Sequence, residues 1–89
     1  MAVTQAVYEQ VMELSGWCCV HCGSPINPEY HHMMSNTKAN RKKYPLFIDS
    51  IHNGTVLCGL FGSGCHSRYS HLYRIHDEQA QRLEELLND

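Results

Sequence analysis

Residues 17–34 read WCCVHCGSPINPEYHHMM, and their reading decides the fold. The stretch holds a Cys19-x2-Cys22 pair followed by Gly23, then Pro25 and Pro28, then two adjacent histidines, His31 and His32. A C-x2-C-G sequence suits a tight turn. Glycine takes up the backbone geometry at no steric cost, and backbone N–H groups can approach the thiolate sulfurs. The glycine and prolines cut the segment into turns and short strands, with residues 31–34 suited to one of the strands. A single histidine there is commonly a packing residue. Two in succession beside a cysteine turn depend for their meaning on what else the chain brings to the same place.

The matching cysteine half is LCGLFGSGCH, residues 57–66. Six residues separate Cys58 from Cys65, wider than the usual spacing of about two to four, and Gly59, Gly62 and Gly64 allow the intervening loop to fold back. Cys19, Cys22, Cys58 and Cys65 would complete a closed tetrahedral structural zinc site. Cys18 is the spare: it either replaces Cys19 in a C-x3-C register or serves as a small buried hydrophobe. The 89 residues make one domain, 1–89, with the motif core at about 17–76. A chain this short buries only roughly 60–65% of its unfolded surface, so zinc binding would contribute directly to folding.

An odd cysteine count and no visible secretion signal favour metal ligation in a reducing cytosol over disulfides. No apolar run approaches the roughly 20 residues that span a bilayer. The formal net charge of −2 does not itself suggest a nucleic-acid partner, but four of the seven cationic side chains, Lys38, Arg41, Lys42 and Lys43, lie within six positions. Such a run is either a solvated loop or a surface for phosphate.

The spacing of Val3, Val7, Val11 and Leu14 predicts a helix over residues 4–15, with Thr4 as N-cap and Gly16 as stop. SNTKANRKKYP suits a loop or an irregular helical turn ending before Pro45. IHNGTVLC carries an Asn-Gly turn signal before the β-leaning run Thr55–Leu57. HSRYSHLYRI suits a helix after Cys65. Asp77 suits the N-cap of a last helix with Ala80, Leu83, Leu86 and Leu87 on its apolar side.

In chain order the pieces are Cys19-x2-Cys22, His31-His32, Asn53-Gly54-Thr55-Val56-Leu57-Cys58 and Cys65-His66. This order resembles the HNH endonucleases, the ββα-metal nucleases of phage and bacterial genomes, over residues 19–66, more than half of the chain. The resemblance implies an α+β fold: a small ββα-metal core stapled by the four-cysteine zinc and flanked by N- and C-terminal helices. It implies that His31 and His66 hold a catalytic divalent ion, that His32 is the general base, and that Asn53 orients the base and fixes its loop. DNA is then the partner, contacted at phosphate by Lys38, Arg41, Lys42, Lys43 and Arg68. The expected chain is a monomer or weak dimer in the cytoplasm, that of a bacterial host if phage-encoded. A place in a phage DNA-processing assembly fits the same reading.

Phosphodiester hydrolysis asks for these residue types on its own account. A neutral imidazole, with an ordinary pKa near 6.5, can take a proton from water at physiological pH. A cation offsets the charge gathering on phosphate and leaving oxygen. An asparagine holds a loop or an imidazole without adding charge. Two points depart from the family pattern: the second cysteine half is stretched, and His31 stands where Asp is usual. The second change softens the catalytic site toward Mn, Ni, Co or Zn alongside Mg. Consecutive strand residues face opposite ways. The two histidines therefore serve one phosphate only if the backbone twists or the phosphate lies across the strand edge, and their roles could be exchanged. His71 is a candidate third ligand. The alternative function is a zinc-bearing module that docks on nucleic acid or protein without cutting.

Overall fold

The computed structural model of the chain describes residues 3–59 and 64–89. Helix α1 (Gln5–Leu14) begins where the Thr4 hydroxyl accepts from the Val7 N–H. It ends in a left-handed turn, where Gly16 donates to the Glu13 carbonyl and Trp17 to the Met12 carbonyl, so the last turn is satisfied internally. Its packing face is Val7, Tyr8, Val11 and Met12. That stripe runs i, i+1, i+4, i+5, so Leu14, expected on the apolar side, falls off it and is 77% exposed.

Strand β1 (Pro28–His32) pairs antiparallel with β2 (Gly54–Cys58), with His31 opposite Thr55 and His32 opposite Gly54. Strand β1 thus begins three positions before the predicted 31–34. Residues 33–53 join the strands and carry helix α2 (Lys38–Lys43) and a 3-10 turn (Ile51–Asn53). The basic run is therefore helical. Thr37 caps it by accepting from the Asn40 N–H, and the Asn40 side chain returns a bond to the Ser35 carbonyl. The Asn-Gly turn expected at 53–54 does not form. Gly54 is extended (φ −113°) and opens β2, because the long 33–53 connection replaces a tight hairpin.

Helix α3 (Cys65–Tyr69) follows β2 and gives way to a 3-10 turn, Ser70–Leu72, where one longer helix was expected. Gly64 occupies its N-cap position, Gly59 donates to the Asn27 carbonyl, and Gly62 lies outside the described residues. Helix α4 (Asp77–Leu87) starts one residue earlier than predicted, with His76 rather than Asp77 at the cap and Asp77 and Glu78 in the first turn, where acidic charge suits the helix dipole. Ala80 is buried, but Leu86 and Leu87 face solvent.

The described apolar residues form three small clusters. Met34, Tyr44, Phe47, Ile48 and Ala80 bind α4 to the 33–53 connection. The Glu84 carboxylate adds to this by accepting from the Leu46 and Phe47 N–H groups. Val11, Met12 and Val56 join α1 to the sheet. Cys19, Leu57, Cys58 and Cys65 form the third, and Tyr73 packs against it. The result is a small mixed α/β molecule around a two-stranded sheet, with one of its three packing centres made largely of thiols. Among the described residues no helix is long and apolar enough to cross a membrane.

Candidate functional site

Two clusters of chemistry-bearing side chains stand out. The first is the thiol cluster. The sulfurs of Cys19, Cys22, Cys58 and Cys65 all lie within 4.8 Å of one another, and none is in a disulfide. Zinc–sulfur bonds of about 2.3 Å at tetrahedral angles place sulfurs roughly 3.8 Å apart, and Cys22 and Cys58 stand at 3.7 Å. Gly23 (φ 78°) turns the chain after Cys22, and its N–H donates to the Cys19 carbonyl. The Cys65 N–H points at the Cys58 sulfur at 3.4 Å. Burial opposes ionisation of Cys19, but backbone groups of Cys22, Cys58 and His21 outweigh it and bring its pKa down to about 6. Burial and the neighbouring sulfurs of Cys58, Cys22 and Cys19 push Cys65 up to about 12. Ionisation is thus favoured at Cys19 and opposed at Cys65. Four cysteines are positioned to hold a metal ion, and the donor set suits zinc. Cys18 stands apart, with its thiol on the Gly16 carbonyl.

The second site is built on β1 and α3. Glu29 and His31, two apart on β1, share the face that meets His66 on α3. His31 Nε2 lies 3.0 Å from the Tyr73 carbonyl, which can only accept, so that nitrogen carries the proton and Nδ1 is bare. His66 Nδ1 lies 2.7 Å from a Glu29 carboxylate oxygen, so it donates and Nε2 is bare. The two bare nitrogens face each other at 3.2 Å. Two lone pairs hold that distance only with a positive particle between them, a proton or a metal ion. Metal–nitrogen bonds of about 2.1 Å set neighbouring nitrogens roughly 3.0–3.4 Å apart, so the pair fits a shared divalent ion. Partners that fix the far nitrogen of a ligating histidine are the usual companions of such ions. Burial, then the charges of His66, His32 and Arg74, holds the His31 pKa below its ordinary value and favours the neutral, ligating ring. Gly59 lies under the Glu29 carboxylate, where a Cβ would collide with it.

His32 points to the opposite face of β1. Its ring meets Tyr30 edge-on at 5.0 Å, and Nε2 is buried without a hydrogen-bond partner, 3.6 Å from an Asp49 oxygen. Burial lowers its pKa, partly countered by Asp49. Asp49 in turn is chelated by Arg41, whose guanidinium reaches both carboxylate oxygens and keeps Asp49 ionised below the usual carboxylate range. Asn53 is fully buried. Its side chain donates to the Ile48 and Met34 carbonyls and accepts from the Met34 N–H at 2.7 Å. It thus fixes the backbone just beyond His32 and reaches His32 only through that backbone.

Lys38, Lys42 and Lys43 are exposed on α2 and form no ion pair among the described residues, whereas Arg41 is taken up by Asp49 and Asn36. Arg68 is exposed on α3, on the thiol side of the molecule. His71 is exposed and makes no hydrogen bond among the described residues. His21, in the turn between Cys19 and Cys22, is exposed, stacks on Tyr69 and meets the Tyr73 hydroxyl at 3.0 Å. Sequence reasoning passed over Glu29 and Asp49. Glu29 had a signal, since it sits two residues before His31 and shares its strand face. Asp49 had none. Comparison with protein-family models, curated proteins and solved structures returns no match to this chain.

Proposed function

We propose that the chain is a metal-dependent DNA endonuclease of the HNH type, with zinc in the four-cysteine site and a divalent ion between His31 and His66. The observation that carries this reading is the pair of bare imidazole nitrogens at 3.2 Å, each backed by an acceptor on its far side. A binding module needs no such pair, and the closed thiol cluster already accounts for structural stapling.

A divalent ion there supplies positive charge for the phosphate and the leaving oxygen. His31 and His66 hold it, oriented by the Tyr73 carbonyl and Glu29. His32 takes a proton from the attacking water. Its Nε2 is buried and its side chain is 15% exposed, so the proton is assigned to the other ring nitrogen, Nδ1. Water oxygen bonds to phosphorus, the bond to the 3′ oxygen breaks, and its electron pair leaves with that oxygen. Asn53 fixes the loop behind His32. Because His31 and His32 face opposite ways, the scissile phosphate lies across the edge of β1 within reach of both.

Lys38, Lys42 and Lys43 supply phosphate contacts on the His32 side. Contacts to phosphate position DNA without reading it, so sequence preference is low. One site cuts one strand, so a monomer nicks. The test is the product: nicked circular plasmid made by the pure protein should be resealed by DNA ligase, which requires 5′-phosphate and 3′-hydroxyl ends. Plasmid binding with no cleavage under any divalent ion would favour the docking module instead.

A further inference from the structure

We propose that Asp49, anchored by Arg41, is the positioning residue of His32, and that Arg41 serves the base rather than the DNA backbone. The inference rests on the nuclease reading for its catalytic meaning and on geometry for the contact itself. His32 Nε2 is a buried nitrogen with no hydrogen-bond partner, and the group in front of it is the Asp49 carboxylate at 3.6 Å. A shift of a few tenths of an ångström makes this a charge-assisted hydrogen bond, and bonds that serve catalysis are often long before substrate arrives. The Asp49 carboxylate cannot swing away freely. Arg41 grips both of its oxygens and is itself steadied by Asn36 at 2.7 Å.

The arrangement has a definite consequence. An acceptor in front of Nε2 keeps the proton there and leaves Nδ1, the other ring nitrogen, bare to accept one. The carboxylate also stabilises the imidazolium that His32 becomes once it has taken the proton, as a buried carboxylate does behind a catalytic histidine elsewhere. Asp49 touches neither DNA nor ion in this scheme and acts through His32. The Tyr30 ring meets the His32 ring edge-on, and its hydroxyl, also buried without a partner, offers no competing charge.

Two readouts test this. The first needs no DNA and no catalytic ion. In proton NMR of the zinc-loaded protein, His32 should give an exchange-protected ring N–H signal, assigned by its loss in His32→Gln. Asp49→Ala should abolish that signal while zinc content and the rest of the spectrum persist. Asp49→Asn, which keeps shape and an acceptor oxygen, guards against a folding artefact and should weaken the signal rather than remove it. No protected signal in the parent protein, or one that persists in Asp49→Ala, overturns the proposal. The second readout is single-turnover cleavage of pre-bound DNA. Asp49→Ala should slow it about 10–100-fold, the scale of lost orienting partners, with DNA affinity unchanged. In a His32→Ala background the same change should cost nothing more, because residues acting as a unit are not additive. Equal losses in both backgrounds, or a loss confined to affinity, overturn it. A parent protein that shows the protected signal but never cleaves DNA removes the nuclease reading and leaves the Asp49–His32 contact standing.

Discussion

At the residue scale, each histidine is distinguished by what stands behind its ring. His31 and His66 are backed by acceptors that free one nitrogen each, and those nitrogens converge. His32 is backed by a carboxylate and turned the other way. The alanine variants should therefore separate. All three should keep the four-cysteine metal. His32→Ala should still bind the second ion while losing on the order of 10²–10⁴-fold in cleavage rate. His31→Ala and His66→Ala should lose affinity for that ion, measured by calorimetry on DNA-free protein. Retained affinity in His31→Ala with loss in His32→Ala would mean the two roles are exchanged. Glu29→Ala, which frees the His66 ring, should weaken the ion about 10–100-fold. Unchanged affinity would show that Glu29 is a bystander. The adjacent histidines, His66 and the four cysteines were legible in the sequence because their residue types and order carry the pattern. Asp49 was not, because its partner Arg41 lies eight residues back across an irregular connection, and no periodicity links them.

Asn53 belongs to the same scale but has a different expected signature. It satisfies two carbonyls and one N–H in a fully buried place. Asn53→Ala strands those groups, at about 1–3 kcal/mol for each buried group left unpaired. For a domain of this size, a loss of about 3 kcal/mol lowers the melting temperature by more than roughly 10 °C. Thermal unfolding of the zinc-loaded variant checks it. An unchanged melting temperature would contradict the bracing role.

At the scale of elements, helix α1 was readable almost to its ends because cap, stripe and stop agree. Even so, its buried face was misplaced by one column, since periodicity alone does not say that Met12, rather than Leu14, meets the sheet. The basic run gave less away. The sequence left a loop and an irregular helical turn both open, and Thr37 and Asn40 close a short helix by side-chain bonds that no hydrophobic pattern announces. Helix α2 divides its cations. Arg41 is spent on Asp49, and Lys38, Lys42 and Lys43 remain for phosphate. Replacing the three lysines by Gln should weaken DNA binding and reduce the slope of log affinity against log salt by up to about 2–3, near 0.9 for each phosphate no longer neutralised. An Arg41→Gln variant should leave that slope nearly unchanged. A slope unaltered by the triple substitution would return α2 to a merely solvated surface.

At the scale of the whole molecule, the described residues pack in three small clusters, one of them built from thiols. Cys22→Ser removes one ligand of that centre. The variant should lose its zinc and its cooperative unfolding together, because metal binding and folding are coupled in sites of this kind. Elemental analysis beside a thermal melt tests the pair. A zinc-free protein that still unfolds cooperatively would mean that the thiol cluster is dispensable. The stretched spacing from Cys58 to Cys65 was the weak point of the sequence reading, yet the four sulfurs converge within 4.8 Å.

The central claim is catalytic, and one measurement addresses it most directly: nicking of supercoiled plasmid across a panel of Mg, Mn, Ni, Co and Zn, with the parent protein and His32→Ala side by side. The account predicts that the parent converts supercoiled to open-circular DNA with at least one of these ions and not in chelator, and that His32→Ala, though folded and loaded with zinc, is slower by on the order of 10²-fold or more. Equal nicking by both proteins, or none by the parent with any ion, would contradict it.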